Sequence, residues 1–221
     1  MLVERSVHPR FLSNAYVVAD REGGTAVFVD SGAPIEPLLT AVERWGARPR
    51  HVLRTHAHGD HVEHEDELCE RFGIDIVTRD AEVGGLRAEA RATPGHADDH
   101  VVFVVNGALF SGDLLFKDAV GGGDADTVRR SVMERVMNLP PETRVLPGHT
   151  DETTIGREWE ENPFVRLWRG VEPPLEESVR VSGAEATLLV WSPDYDGKGK
   201  ALVRFGDGRE AIVGGSRVER M

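Results

Sequence analysis

Apolar residues along this chain fall into two periods, and the period changes with position. The first β-prone runs are Ala15 to Val18 and Ala26 to Val29, joined by the turn-forming Glu22-Gly23-Gly24. Pro34 then marks a helix start; Ile35, Leu38, Leu39, Val42 and Trp45 recur at helical spacing, and Gly46 stops the run. His51 to Arg54 reads as a strand leading into Thr55-His56-Ala57-His58-Gly59-Asp60-His61, and a helix is predicted from there through Phe72, ended by Gly73. Ile74 to Val77 and Val101 to Val105 read as buried strands, and Ala108 to Phe110 returns after the Asn106-Gly107 turn. Val128, Val132 and Val136, with Met133 and Met137, mark an amphipathic helix, and Val145-Leu146 a short strand.

From about Gly170 the texture changes. Beyond Asn162-Pro163-Phe164 the pattern is alternating and turn-rich, with β-like runs at Ala186 to Trp191, Lys200 to Phe205 and Glu210 to Val213. The pattern therefore predicts an α/β unit over residues 1–169 and a small β-rich C-terminal appendage over 170–221, too short to hold a large core of its own.

Composition narrows the classes. A chain of 221 residues with 40% hydrophobic and 29% charged residues is ordinary for a globular protein. The formal net charge of −12 opposes phosphate backbones at long range, so a nucleic-acid partner is not expected. No apolar run approaches the length of a membrane span, the start Met1-Leu2-Val3-Glu4-Arg5 lacks a secretory pattern, and Cys69 is the single cysteine. A cytoplasmic protein acting on a small molecule is the expectation.

The candidate chemistry lies in the histidines. Three of the nine fall within six residues, at His56, His58 and His61. Residues two apart on an extended segment share a face, so His56 and His58 can hold one ion together. The turn at Gly59 then lets Asp60 and His61 point to a second position. Three more segments place a potential ligand after a β-run and a small residue: Thr93-Pro94-Gly95-His96, Phe110-Ser111-Gly112-Asp113 and Leu146-Pro147-Gly148-His149. Glycine before each ligand lets the backbone approach a crowded centre. All donors are nitrogen or carboxylate oxygen, which suits zinc and also admits iron or manganese.

These motifs in this order resemble the metallo-β-lactamase superfamily, in the branch that includes glyoxalase II and persulfide dioxygenases. The likeness runs from Asn14-Ala15-Tyr16 through Asp30-Ser31-Gly32, the His56 to His61 motif and Leu146-Pro147-Gly148-His149 to Thr153-Thr154-Ile155-Gly156 and Asn162-Pro163-Phe164. It implies an αββα sandwich with the site at the shared edge of its sheets. It also implies that His56, His58 and His96 hold one divalent ion, that Asp60, His61 and His149 hold a second, and that Asp113 bridges them. The reaction implied is hydrolysis of a small thioester or ester by a water shared between the two metals, with Asp113 and Asp60 as the catalytic carboxylates. The alternative within the branch is a persulfide dioxygenase with a single iron on His56, His96 and Asp113. Those dioxygenases carry an arginine in the segment corresponding to Val120-Gly121-Gly122-Gly123-Asp124, and its lack here favours hydrolysis.

Other polar residues read more plainly. His64 departs from the family's usual glycine and reads as a solvated helix-face residue, His100 as structural, and His8 and His51 have no motif around them. Gly121 to Asp124 reads as a mobile loop and Asp194-Tyr195-Asp196-Gly197 as a hairpin turn. Lys117 follows Asp113 closely enough to reach a substrate, and a solvated lysine fits the same position.

Overall fold

The strand Asn14–Ala19 is buried at every position, and its alternation explains why. Ala15, Val17 and Ala19 face one layer, Tyr16 and Val18 the opposite one. A strand covered on both faces belongs inside a layered fold. The computed structural model describes residues 1–221 and shows those layers. Leu2–Val7 (β1), Asn14–Ala19 (β2) and Thr25–Val29 (β3) run antiparallel, and Arg48–Leu53 (β4) and Asp75–Val77 (β5) extend the sheet in parallel. Helix Glu36–Trp45 (α1) and the two short helices Gly59–Val62 (α2) and Glu65–Phe72 (α3) lie within this first half. Leu38, Ala41, Val42 and Trp45 of α1 and Leu68 of α3 cover the outer face of the sheet. As the pattern predicts, Gly46 and Gly73 stop these helices in the left-handed conformation.

The second sheet holds Ala81–Val83 (β6), Leu86–Ala92 (β7), Val101–Val105 (β8) and Ala108–Gly112 (β9). After Gly123–Asp124 (β10) and helix Ala125–Ser131 (α4), it is completed by Arg144–Pro147 (β11) and Thr153–Thr154 (β12). Tyr16, Val18, Val27, Val29 and Leu53 of the first sheet meet Phe103, Val105, Phe110 and Leu146 of the second, forming the inner core of the sandwich. Helices Ile155–Glu161 (α5) and Pro163–Trp168 (α6) join α4 on the far side. This is the αββα arrangement the sequence implies.

The C-terminal strands Glu177–Val181 (β13), Ala184–Ser192 (β14), Lys200–Phe205 (β15), Glu210–Gly214 (β16) and Val218–Arg220 (β17) make a third sheet. Its edge strand is β10, drawn from the middle of the chain and paired antiparallel with β16. One face, with Leu189, Val190, Leu202 and Ile212, joins the cluster that holds Val128, Val145 and Phe164. The other face closes a small core around Leu188, Ala201 and Val203. No helix is long and apolar enough to cross a membrane.

Three local expectations are corrected. The helix expected from the histidine motif through Phe72 is broken at His64, whose non-helical backbone sends its N–H to the Ser31 carbonyl at 3.1 Å. The amphipathic helix around Val132 changes from α4 to a π-helical turn at Val132–Val136, which keeps Val128, Val132 and Val136 all fully buried. The segment after Asn162 is first a helix, not a strand. The Asn162 side chain accepts from the N–H groups of Phe164 and Val165, and Pro163 fits the first turn, so start signals outweigh the alternation.

One buried acid fastens this side of the molecule. Glu158 of α5 has no exposed surface and accepts from Thr153 Oγ1 at 2.6 Å, the Asp118 N–H at 2.9 Å, Asn162 Nδ2 at 3.0 Å and Arg157 Nη1 at 2.7 Å. It thereby ties the loop after β9 to α5. Glu158→Ala removes one acceptor from four donors, two of them in fully buried bonds, and is expected to cost about 3 kcal/mol in urea denaturation of the metal-free protein. A loss below about 1 kcal/mol would show that the loop is held by other contacts.

Candidate metal centre

Beyond β4 the chain stays extended through His58, because the Thr55 N–H and hydroxyl both donate to Asp30, each at 2.8 Å. Asp30 itself sits in a left-handed backbone conformation (φ 53°) at the end of β3. That anchor aims His56 and His58 beyond the sheet edge, and α2 then turns Asp60 and His61 toward the same point. His96 arrives from the connection between β7 and β8, Asp113 from the residue after β9, and His149 from the loop after β11. The approach is close. A side chain at Gly148 would collide with Asp113 Oδ1 and the His61 ring, so glycine is required there.

All seven donors named from the sequence come together. His56, His58 and His96 form one group, Asp60, His61 and His149 another, and His56, His61 and Asp113 a third, each with donor atoms within 4.8 Å of one another. In the first group His58 Nδ1 lies 3.1 Å from His56 Nε2 and 2.9 Å from His96 Nε2. In the second, Asp60 Oδ2 lies 3.5 Å from His149 Nε2 and 3.8 Å from His61 Nε2. Asp113 stands between the groups: Oδ1 is 3.3 Å from His61 Nε2, and Oδ2 is 3.4 Å from His149 Nε2 and 3.5 Å from His96 Nε2.

The opposite ring nitrogens are occupied. Nδ1 of His56 meets Thr55 Oγ1 at 3.0 Å, that of His61 meets Asp30 Oδ2 at 2.9 Å, that of His96 the Gly122 carbonyl at 2.9 Å and that of His149 the Leu12 carbonyl at 3.0 Å. An acceptor at Nδ1 keeps the proton there and leaves Nε2 as a lone pair facing the centre. Two of the inward atoms, His61 Nε2 and Asp113 Oδ1, are buried without a hydrogen-bond partner. Buried polar atoms rarely go unpaired, and a cation between them would satisfy both. The residues present therefore fit divalent metal ions.

Electrostatics agree with two unlike halves. Burial pushes the His56 imidazole down to about 4 and lowers His96, so these two offer neutral lone pairs. On the other side burial also opposes charge, but Asp113 outweighs it, holding His61 well above the usual histidine range and His149 at about 9. In return, against the effect of burial, His61 and His149 hold Asp113 well below the carboxylate range, and His149 and His61 lower Asp60.

Several participants were not assigned a role from the sequence. His100, read as structural, accepts the Asp113 N–H on Nε2 at 3.1 Å and is held by Thr93 Oγ1 at 2.8 Å, so it orients the central carboxylate. Asp30, which appeared only within a motif, orients His61 and Thr55. The Gly121 to Asp124 segment is corrected: it is no mobile loop, since Gly122 holds His96 and Gly123-Asp124 is β10. Gly123 takes φ 151°, and a side chain there would strike the Gly95 carbonyl. Tyr195, read as part of a turn, lies flat on the His149 ring with centroids 3.9 Å apart. It is one of only two tyrosines, and the other, Tyr16, donates to the Pro147 carbonyl at 2.8 Å. An aromatic within a polar turn was the signal available for Tyr195. His64 stays peripheral, 3.8 Å from Glu67, and His8 stacks on Phe11 away from the donors.

Known proteins carry the same plan. A family model described as the metallo-beta-lactamase superfamily matches residues 8–83. An uncharacterized protein of Aquifex aeolicus is 31% identical over 193 residues, covering 68% of this chain and 90% of the relative. A hydroxyacylglutathione hydrolase of Rhizobium meliloti is 36% identical over 154 residues, 59% of each chain. The solved B3 metallo-beta-lactamase BLEG-1 superposes with a TM-score of 0.69 at 26% identity, over 74% of this chain and 99% of its own. TTHA1623, solved in a di-iron-bound form, gives 0.62 at 30% identity, over 73% and 99%. ETHE1 from Myxococcus xanthus gives 0.66 at 24% identity, over 79% and 93%, a likeness of fold. With its sandwich, its seven converging donors and these relatives, the chain belongs to the metallo-β-lactamase superfamily.

Proposed function

We propose that this protein is a dinuclear metallohydrolase of small thioesters or esters. The observation that carries the reading is a pair of three-residue donor groups with Asp113 3.3 to 3.5 Å from His96 of one and His61 and His149 of the other, and with His61 Nε2 and Asp113 Oδ1 buried and unpartnered. His56, His58 and His96 would hold one ion, Asp60, His61 and His149 the other, and Asp113 both. Two divalent ions, when bound, supply the Lewis acidity that activates a shared water and polarises the acyl oxygen. Zinc suits the nitrogen and carboxylate donors, and iron and manganese remain compatible.

The chain's own contribution is orientation and proton handling. Thr55, Asp30, Gly122 and Leu12 fix four imidazoles through Nδ1, so little rearrangement accompanies the reaction. Asp113, with 8% of its side chain exposed, stays an anion at the centre; Asp60, at 26%, is the carboxylate with a route to solvent. Asp60 takes the proton of the attacking water, the acyl carbon gains the oxygen, and the C–S or C–O bond breaks. The products are a carboxylate and a thiol or alcohol, the leaving group taking up a proton.

Metal analysis tests this directly. Protein purified anaerobically and loaded to saturation is expected to hold two ions per chain and to hydrolyse a simple thioester. A single iron per chain, with oxygen uptake on a persulfide and no thioester cleavage, would replace the reading by the dioxygenase of the same superfamily. Asp113→Ala is expected to lose both ions and about a thousandfold in kcat/KM, roughly 4 kcal/mol, whereas His58→Ala keeps the ion on the Asp60 side. Two tightly held ions in Asp113→Ala would show that Asp113 is not shared.

Glutathione thioesters are expected to be poor substrates despite the similarity to a hydroxyacylglutathione hydrolase. From Lys117 the loop after Asp113 runs Lys117-Asp118-Ala119-Val120-Gly121-Gly122-Gly123-Asp124 with no arginine or aromatic residue, and Phe116 before it is buried. After α6 the chain builds a sheet where a glutathione-gripping helical region would stand. Remote binding of that kind is what raises turnover of a full thioester over a truncated one. The measurement is kcat/KM for lactoylglutathione against a simple thioester of equal reactivity. A preference above about a hundredfold, roughly 2.7 kcal/mol, would overturn the expectation.

A further inference from the structure

A cleft of about 360 Å³ opens beside His149, lined by residues of β1, of the β1–β2 connection, of the loop after Asp113 and of the β14–β15 turn. It borders the donor cluster through three neighbours of His149. Tyr195 covers the His149 ring, the Leu12 carbonyl holds its Nδ1, and Thr150 follows it in the chain. A molecule in the cleft therefore lies against the wall of the centre.

The charges lining this cleft are nearly all spoken for. Arg5 pairs with Asp151 at 3.2 Å, Asp118 with Arg157 at 2.7 Å, and Asp194 with Lys200 at 2.9 Å. Lys117 is the exception: half-buried, it lines the cleft and joins no ion pair, while its N–H meets Thr150 Oγ1 at 3.3 Å. A lysine left unpaired on a chain of net charge −12 is a local exception to a field that repels anions. Among largely polar lining residues, Val7 and Leu12 form an exposed apolar edge. One free cation beside that edge suits a small molecule with one carboxylate and a short carbon chain.

The cleft is also built in advance. The buried Asp194–Lys200 pair sits under Tyr195, with the Lys200 ammonium 5.6 Å from the Tyr195 ring and 5.8 Å from Phe116. Ser192 Oγ donates to the Asp118 carbonyl, clamping the β14–β15 turn onto the loop that carries Lys117. The wall and the backbone that carries Lys117 are thus fixed to each other, so on binding the lysine side chain is what remains to be ordered.

We infer that this cleft receives a carboxylate carried by the substrate, with Lys117 as its counter-ion and Tyr195 as the wall that aligns the reacting carbonyl with the donor cluster. The inference rests on the thioester or ester hydrolase reading. It makes Lys117 and Tyr195 specificity-determining residues and the C-terminal sheet a part of the substrate site. Glutathione, with two carboxylates and an ammonium, does not match a single free cation.

The test uses the metal-loaded full chain and three thioesters of similar reactivity. One is a succinyl thioester of a neutral thiol, one an acetyl thioester of 3-mercaptopropionate, and one the neutral acetyl thioester of the amide-capped thiol. At least one acid is expected to exceed the neutral compound about tenfold in kcat/KM, and which one tells the side of the bond that enters the cleft. Lys117→Gln is expected to reduce that ratio below about twofold, Lys117→Arg to keep most of it, and Tyr195→Ala to shrink it with metal content unchanged. No preference for either acid, or a preference that survives Lys117→Gln, overturns the inference. Calorimetry with the matching thioether acids, which cannot be hydrolysed, separates the two readings. If no thioester is cleaved, the hydrolase reading fails; about tenfold weaker binding of a thioether acid to Lys117→Gln still upholds the cleft, and equal binding rejects it.

Discussion

A carboxylate buried among three imidazoles is the constraint around which this molecule is arranged. Asp113 is 5% exposed, and its two oxygens approach His61, His96 and His149 at 3.3 to 3.5 Å. An anion so far from water is tolerable only beside compensating positive charge. Metal ions held among these donors would supply it, and the fold must keep the donors together against their mutual crowding.

That holding is done from behind. The histidines reach the centre from different parts of the chain, and four of them are fixed by an oxygen on the side away from it. Asp30 does double duty, bonding His61 and both donors of Thr55, so the end of β3 and the end of β4 are registered against each other at the site. His100 plays the matching part for the second sheet, seating the backbone of Asp113. Orientation built into the resting protein is what makes charge stabilisation inexpensive at the moment of reaction.

The seven donors were legible because their chemistry is unusual: histidines and aspartates clustered after β-runs, with glycine before His96, Asp113 and His149, have few other reasons to exist. The layers were legible where apolar periods were long, as in α1 and β8. What stayed hidden had no side-chain signature. The oxygens of Leu12 and Gly122 that hold His149 and His96 are backbone carbonyls, which any residue supplies. Strand β7, with the sequence Leu-Arg-Ala-Glu-Ala-Arg-Ala, buries only Leu86 and Ala88, so its strand character comes from pairing with β8 rather than from its own residues. Asn162 and Pro163 carried a readable helix start that the alternation beyond them obscured. Tyr195 reaches His149 only because a third sheet folds back over the loop after β9, and nothing local to residues 193–199 announces that return.

The two-residue strand β10 gives that third sheet a wider reach than its size suggests. Through β10 and β16 it holds the segment whose Gly122 carbonyl orients His96; through the β14–β15 turn it lays Tyr195 on His149. His96 belongs to one donor group and His149 to the other. The sheet therefore acts as a common brace across both halves of the centre, and a strain applied at its outer strands would reach both donor groups in concert. Sequence drift in these late strands is confined to the narrow play that keeps two distant imidazoles in register.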